Sequence, residues 1–116
     1  MVDYENSDIF LNINYYSPEL FDGIILKERD EWACGILMFK LLSGEYPFEG
    51  ENKDDLVYDI INGDINEEIN ELKVSNDCKD LMKKLLEKKP ENRIKVGECL
   101  KHNFFKKGAK FRIGKG

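Results

Sequence analysis

Between Trp32 and Leu42 the chain offers water almost nothing to bind. Trp32, Ala33, Cys34, Ile36, Leu37, Met38, Phe39, Leu41 and Leu42 follow one polar turn, and only Gly35 and Lys40 interrupt them. At helical spacing this segment has no polar face, and a helix that is apolar all round has to be buried. The longest apolar run, residues 32–39 with Gly35 read as neutral, falls far short of the roughly 20 residues that span a bilayer. Protein must therefore cover it. The pattern predicts a helix from Lys27 to Ser43, stopped at Ser43-Gly44, with Tyr46-Pro47-Phe48 as a turn behind it.

The rest of the chain predicts smaller helices. Ser17-Pro18-Glu19 reads as a helix start, with Ser at the cap, Pro in the first turn and an acid beside it, and Asp22-Gly23 as the stop. Asn52 is placed to cap a helix to about Asn62 with Leu56, Val57, Ile60 and Ile61 as its apolar stripe. Residues 64–74 read as an acidic, irregular linker. Ser75 caps the clearest amphipathic segment, where Cys78, Leu81, Met82, Leu85 and Leu86 recur at i, i+3, i+4, i+7 and i+8, and Pro90 stops it. A last short helix is expected over Lys95–Lys101. No stretch alternates with a strand period. The expected fold is all-α, about five helices around the central buried apolar helix. Four short or amphipathic helices barely sheath it, so part of its cover is expected from outside the chain.

Charge narrows the partners. Eighteen basic against 23 acidic side chains give a net −5, which disfavours nucleic acid. No membrane helix is expected, and the first eight residues carry acids where a signal peptide has a basic segment followed by an apolar one. The cysteines, Cys34, Cys78 and Cys99, are odd in number, contain no C-x-x-C and read as reduced core thiols of a cytoplasmic protein. His102 is the single histidine, so a zinc site is not expected. An EF-hand beginning at Asp64 would need Gly sixth and Glu twelfth. Ile69 and Ser75 stand there, so no calcium is expected to bind this chain.

Three signatures follow in order: Tyr15-Tyr16-Ser17-Pro18-Glu19, then Asp30-Glu31-Trp32-Ala33-Cys34-Gly35, then Pro90-Glu91-Asn92-Arg93-Ile94. Together they resemble the second half of a protein kinase large lobe, with Ser17-Pro18-Glu19 in the place of A-P-E. Trp32 to Phe48, Lys79 to Leu86 and Leu100 to Phe105 are similar to the calcium/calmodulin-regulated and calcium-dependent Ser/Thr kinases. The resemblance covers about residues 11–106. It divides the chain into a substrate-docking or activation-segment remnant (1–14), a partial kinase lobe (15–105) and a basic tail (106–116).

The resemblance implies several roles. Asn12 and Tyr15 would belong to substrate docking. Glu19 and Arg93 would form a structural ion pair, for which a carboxylate and a guanidinium suit one another because they pair bidentately. Asp30 would anchor the catalytic loop, and is expected to be a buried acceptor lacking its usual donors or satisfied by water. Lys40 stands where some kinases carry an acid that reads substrate arginine, so arginine is not expected to be read there. No residue of this chain is expected to be catalytic, because the Gly-rich loop, the V-A-I-K lysine, H-R-D and D-F-G are all missing from it. The chain is read as a fragment: a parent would bind ATP and magnesium, whereas these residues would bind neither. The missing front of the kinase, or self-association, would cover the apolar helix.

A second possibility is a pseudokinase or non-catalytic docking module of the same fold, since Leu11-Asn12 replaces the usual Gly-Thr. An unrelated helical interaction protein would instead leave Glu19 and Arg93 apart and exposed. Residues 45–71 hold ten acids and one lysine. They read first as a solvated face and second as a docking face for basic partners. Five basic side chains and no acid follow Phe105, leaving −10 on the preceding residues.

Overall fold

A computed structural model describes residues 13–105; Asn12, nearly all of the 1–14 remnant and the 106–116 tail lie outside the described residues. The described residues form five α-helices, α1 (Arg29–Ser43), α2 (Lys53–Asn62), α3 (Asn66–Glu71), α4 (Asn76–Leu85) and α5 (Val96–Leu100). Two 3-10 turns, Pro18–Asp22 and Pro90–Asn92, accompany them, and no strand occurs among the described residues. The all-α architecture expected from the sequence is the one observed.

Local chemistry places most of the ends. Asn52 accepts a hydrogen bond from the Asp55 N–H at 2.9 Å, and Ser75 accepts one from the Cys78 N–H at 3.1 Å. Both are N-caps that satisfy an orphan donor of the first turn. Gly44 closes α1 at φ 83°, with its N–H on the Lys40 carbonyl at 2.8 Å. That left-handed conformation suits glycine, which has no Cβ to clash.

The chain departs from expectation at α3. The stretch read as irregular linker folds into a six-residue helix. Its only apolar residue, Ile69, is 1% exposed, and the preceding Ile65 is buried as well. Ile65, Ile69 and Leu72 fall at i, i+4 and i+7, but only Ile69 lies within the helix, and packing against α4 stabilises what propensity alone would leave open. On α2 the inward face is narrower than expected. Leu56 and Ile60 are buried, whereas Ile61 and Tyr58 face solvent.

Helix α1 packs against α4, burying Trp32, Gly35, Ile36 and Phe39. Gly35 is where the two helices come closest. A Cβ there would lie 2.8 Å from the Leu86 side chain and 2.9 Å from the Leu85 Cβ. Gly35→Ala is therefore expected to cost about 1–3 kcal/mol despite alanine's better helix propensity, measured as a lower urea midpoint with unchanged helical ellipticity.

The opposite face of α1 is bare. Cys34 is exposed, and Leu37 and Leu41 are 46% and 74% exposed. Residues 34, 37 and 41 fall on one stripe, directly across the helix from 32, 36 and 39. The described residues thus bury one apolar face of the central helix and leave the second uncovered. Cys34 is accordingly not the core thiol expected; Cys78 is buried and Cys99 half-buried. Val96 and Leu100 of α5 are also exposed. Among the described residues no helix is long and apolar enough to cross a membrane.

Candidate functional site

The segment leading into α1 is folded by short-range signals. Pro18 opens the first 3-10 turn and Gly23, at φ 80°, closes it, donating its N–H to the Leu20 carbonyl at 3.1 Å. This turn packs against α2 and points Glu19 inward, 5% exposed. Arg93 comes from the other end of the chain. Pro90 starts a second 3-10 turn beyond α4, and Arg93 follows it at 2% exposure.

Glu19 and Arg93, 74 positions apart, meet in the interior. Arg93 Nη1 donates to Glu19 Oε2 at 2.9 Å and Nη2 to Oε1 at 3.1 Å. The remaining donors reach the carbonyls of Glu87 at 2.8 Å, Glu28 at 3.0 Å and Lys88 at 3.1 Å. A guanidinium has five N–H groups, and each has an acceptor here. The same group lies over the Trp32 ring, 5.1 Å from its centroid. One side chain thereby joins the 3-10 turn, the start of α1 and the end of α4.

Burial pushes the Glu19 carboxyl up, but the Arg93 hydrogen bonds, with backbone hydrogen bonding and the Arg93 charge, more than offset it and hold the group below its ordinary 4.5. The folded state therefore binds this proton more weakly than the unfolded chain. The stability contributed is fully present above 4.5 and is lost as pH falls through the folded value. Melting temperature is expected to drop on acidification from about pH 6 to about pH 3, and Glu19→Gln is expected to flatten that dependence, as read by circular dichroism.

Beside the anchored segment, Tyr15 meets Tyr46 edge to face at 5.6 Å between centroids. Hydrogen bonding to Tyr46, then burial, raises the Tyr15 phenol above its ordinary 10.0, so it stays neutral. Lys40 Nζ lies 4.4 Å over the Tyr46 ring and donates to the Gly44 carbonyl at 3.2 Å. A cavity of about 410 Å³ opens here, lined by Asn14, Glu45, Tyr46, Glu49 and Leu56 among others. Its charged lining is acidic.

Asp30 requires a correction. It is exposed on the first turn of α1, not a buried acceptor. It borders a cavity of about 490 Å³ that Cys34, Leu85, Val96 and Cys99 also line, on the side of α1 that the described residues leave open. Glu28 is a contributor the sequence did not reveal: its carbonyl accepts from Arg93, and its carboxylate pairs with Lys95 at 3.3 Å. Neither role has a sequence signal, because a backbone carbonyl is common to every residue. Among the described residues no three His, Cys, Asp or Glu side chains converge to hold a metal ion.

Residues 3–105 match the family described as the protein kinase domain. The chain is 36% identical over 98 residues to the probable serine/threonine-protein kinase KCC4 of Saccharomyces cerevisiae, covering 81% of this chain and 9% of that protein. It is 35% identical over 102 residues to calcium-dependent protein kinase 33 of Arabidopsis thaliana, covering 87% of this chain and 20% of that protein. With calcium-dependent protein kinase 5 of Plasmodium falciparum it shares 37% identity over 94 residues, 80% of this chain and 16% of the relative. The chain spans about a tenth to a fifth of the length of these curated relatives.

Proposed function

The chain belongs to the protein kinase domain family, and on that premise we propose that it is the substrate-docking and lobe-stabilising part of a Ser/Thr protein kinase. The parent transfers a phosphoryl group from ATP to protein Ser or Thr and is similar to the calcium-dependent kinases. The observation that carries this reading is the fully satisfied Arg93, which ties the segment beginning at Ile13 to the lobe.

Phosphoryl transfer depends largely on positioning and electrostatics. A docking part contributes by holding the acceptor peptide still. Tyr15 and Tyr46, packed edge to face, supply aromatic contact surface, and the acidic cavity beside them favours a basic peptide. In this reading Asn12 and Tyr15 contact the peptide, and Asp30 accepts backbone N–H bonds from the catalytic loop. ATP and magnesium bind through groups outside these 116 residues, and this chain alone is inactive. The three free thiols suit a cytoplasmic setting.

Kinetics of the whole protein on a basic serine peptide test this. Tyr15→Ala is expected to raise KM about tenfold with kcat unchanged, the pattern for lost uniform binding. Unchanged KM would remove Tyr15 from docking. A whole protein that binds no ATP and transfers no phosphate would favour the second reading, a pseudokinase or docking module, which Leu11-Asn12 motivates.

A further inference from the structure

We infer that His102 is a proton-sensitive latch: its neutral ring caps the turn that follows α5, and protonation releases that cap while the ring stays tied to α4. The imidazole is 7% exposed and stands directly before helical backbone at residues 103–105. Both ring nitrogens are engaged. Nε2 lies 2.7 Å from Asp80 Oδ2 of α4, and the Phe104 N–H donates to Nδ1 at 3.0 Å.

These partners fix the tautomer. A backbone N–H only donates, so Nδ1 must present its lone pair. Hydrogen bonds from His102 and then Lys84 hold the Asp80 carboxyl below its ordinary 3.8. An ionised carboxylate only accepts, so Nε2 carries the hydrogen. His102 thereby satisfies an orphan donor of a first helical turn, a position usually given to Ser, Thr, Asp or Asn. Unlike those caps, an imidazole changes from acceptor to donor within the physiological pH range.

Protonation spares one contact and breaks the other. In the imidazolium both nitrogens donate. Nε2 keeps Asp80 and gains an ion pair, whereas Nδ1–H meets the Phe104 N–H donor against donor. The new charge also sits at the start of a helical turn, where peptide dipoles disfavour a cation. From α4, Asp80 favours the charged ring, and Lys84, which holds the same Oδ2 at 3.0 Å, opposes it. From α5, Cys99 accepts the His102 N–H on its carbonyl at 3.1 Å, and burial raises its thiol so that it stays neutral. Glu98 and Lys101, the nearest charges along the chain, are exposed. Phe104 feels the lost bond: its ring packs on the core and meets Phe105 edge to face at 5.2 Å. The latch acts on this last described core contact, whether or not the chain docks substrates.

Nuclear magnetic resonance of the nitrogen-15-labelled 116-residue chain tests the latch between about pH 8 and about pH 5, where imidazoles change charge. Ring nitrogen shifts are expected to show the Nε2–H tautomer at the alkaline end. As the ring protonates, water exchange at the Phe104 amide, corrected for its intrinsic pH dependence, should quicken about fivefold, the weight of one hydrogen bond. The Cys78 amide, capped by Ser75, should stay protected and so report an intact fold. His102→Asn, whose side-chain oxygen accepts without titrating, should keep Phe104 protected throughout, and His102→Ala should leave it unprotected throughout. An Nδ1–H tautomer, Phe104 exchange indifferent to the ring's charge, or the same pH response in His102→Asn would overturn the latch. Loss of Cys78 protection together with that of Phe104 would overturn it too, as general unfolding.

Discussion

Arg93→Ala destabilises the fold by about 3–5 kcal/mol, the cost of breaking a buried ion pair from one side. The substitution leaves the Glu19 carboxylate, 5% exposed, with neither of its guanidinium donors. It also strips the carbonyls of Glu28, Glu87 and Lys88 of theirs. Lysine is no substitute, because a single ammonium cannot reach five acceptors in one plane. A domain of this class holds only about 5–15 kcal/mol in total, so the variant sits at or near unfolding in urea titrations. Glu19→Leu combined with Arg93→Met should recover part of the loss, since the uncompensated charge is then gone. A single-variant cost below about 1 kcal/mol, the range of exposed pairs, would show that the pair is not the tie described above.

Trp32→Ala costs a similar amount, about 3–5 kcal/mol. The indole is fully buried, stacks on Phe48 and supports both Arg93 and Lys88 on its ring. Removing it opens a cavity at the base of α1 and withdraws the flat surface on which the guanidinium rests. Trp32→Phe keeps a ring against Phe48 and should cost distinctly less. Because Trp32 and Arg93 touch, the double variant is expected to lose less than the sum of the two single losses. Thermal melts of the four proteins measure this coupling, and strict additivity would mean that the two side chains act independently.

What the sequence disclosed is what local chemistry controls. Pro18 and Gly23 bound the first turn, Asn52 and Ser75 cap their helices, and the i, i+3, i+4 recurrence from Cys78 to Leu86 aligns α4 on its buried face. Helix α3 stayed hidden because two of its three apolar positions, Ile65 and Leu72, flank the helix and only Ile69 lies inside it. The burial of Glu19 and Arg93 was not legible from either residue alone, since each is an ordinary surface charge until its partner arrives from 74 positions away; resemblance to kinases supplied the pairing. Asp30 misled for a related reason. Its expected burial depends on backbone that the described residues do not include, so here it meets solvent. The Trp32–Phe48–Lys88 stack likewise joins three distant segments with no short-range signature.

Helix α1 holds the strongest agreement between pattern and structure, and also the sharpest exposure of apolar surface. Its sequence demands cover on two faces, and the described residues bury only one. The other, carrying Cys34, Leu37 and Leu41, lies open beside the cavity bordered by Asp30 and Cys99. Unpartnered apolar surface of this kind marks a contact to be made.

The decisive measurement is ANS fluorescence of the purified chain, read together with near-ultraviolet circular dichroism and light scattering. Ordered Trp32 signals accompanied by strong dye binding or self-association, both suppressed by Leu37→Glu with Leu41→Glu, are the predicted result; retained aromatic ellipticity separates this from a molten state. A well-ordered, monodisperse monomer that leaves the dye dark would contradict an open second face on α1.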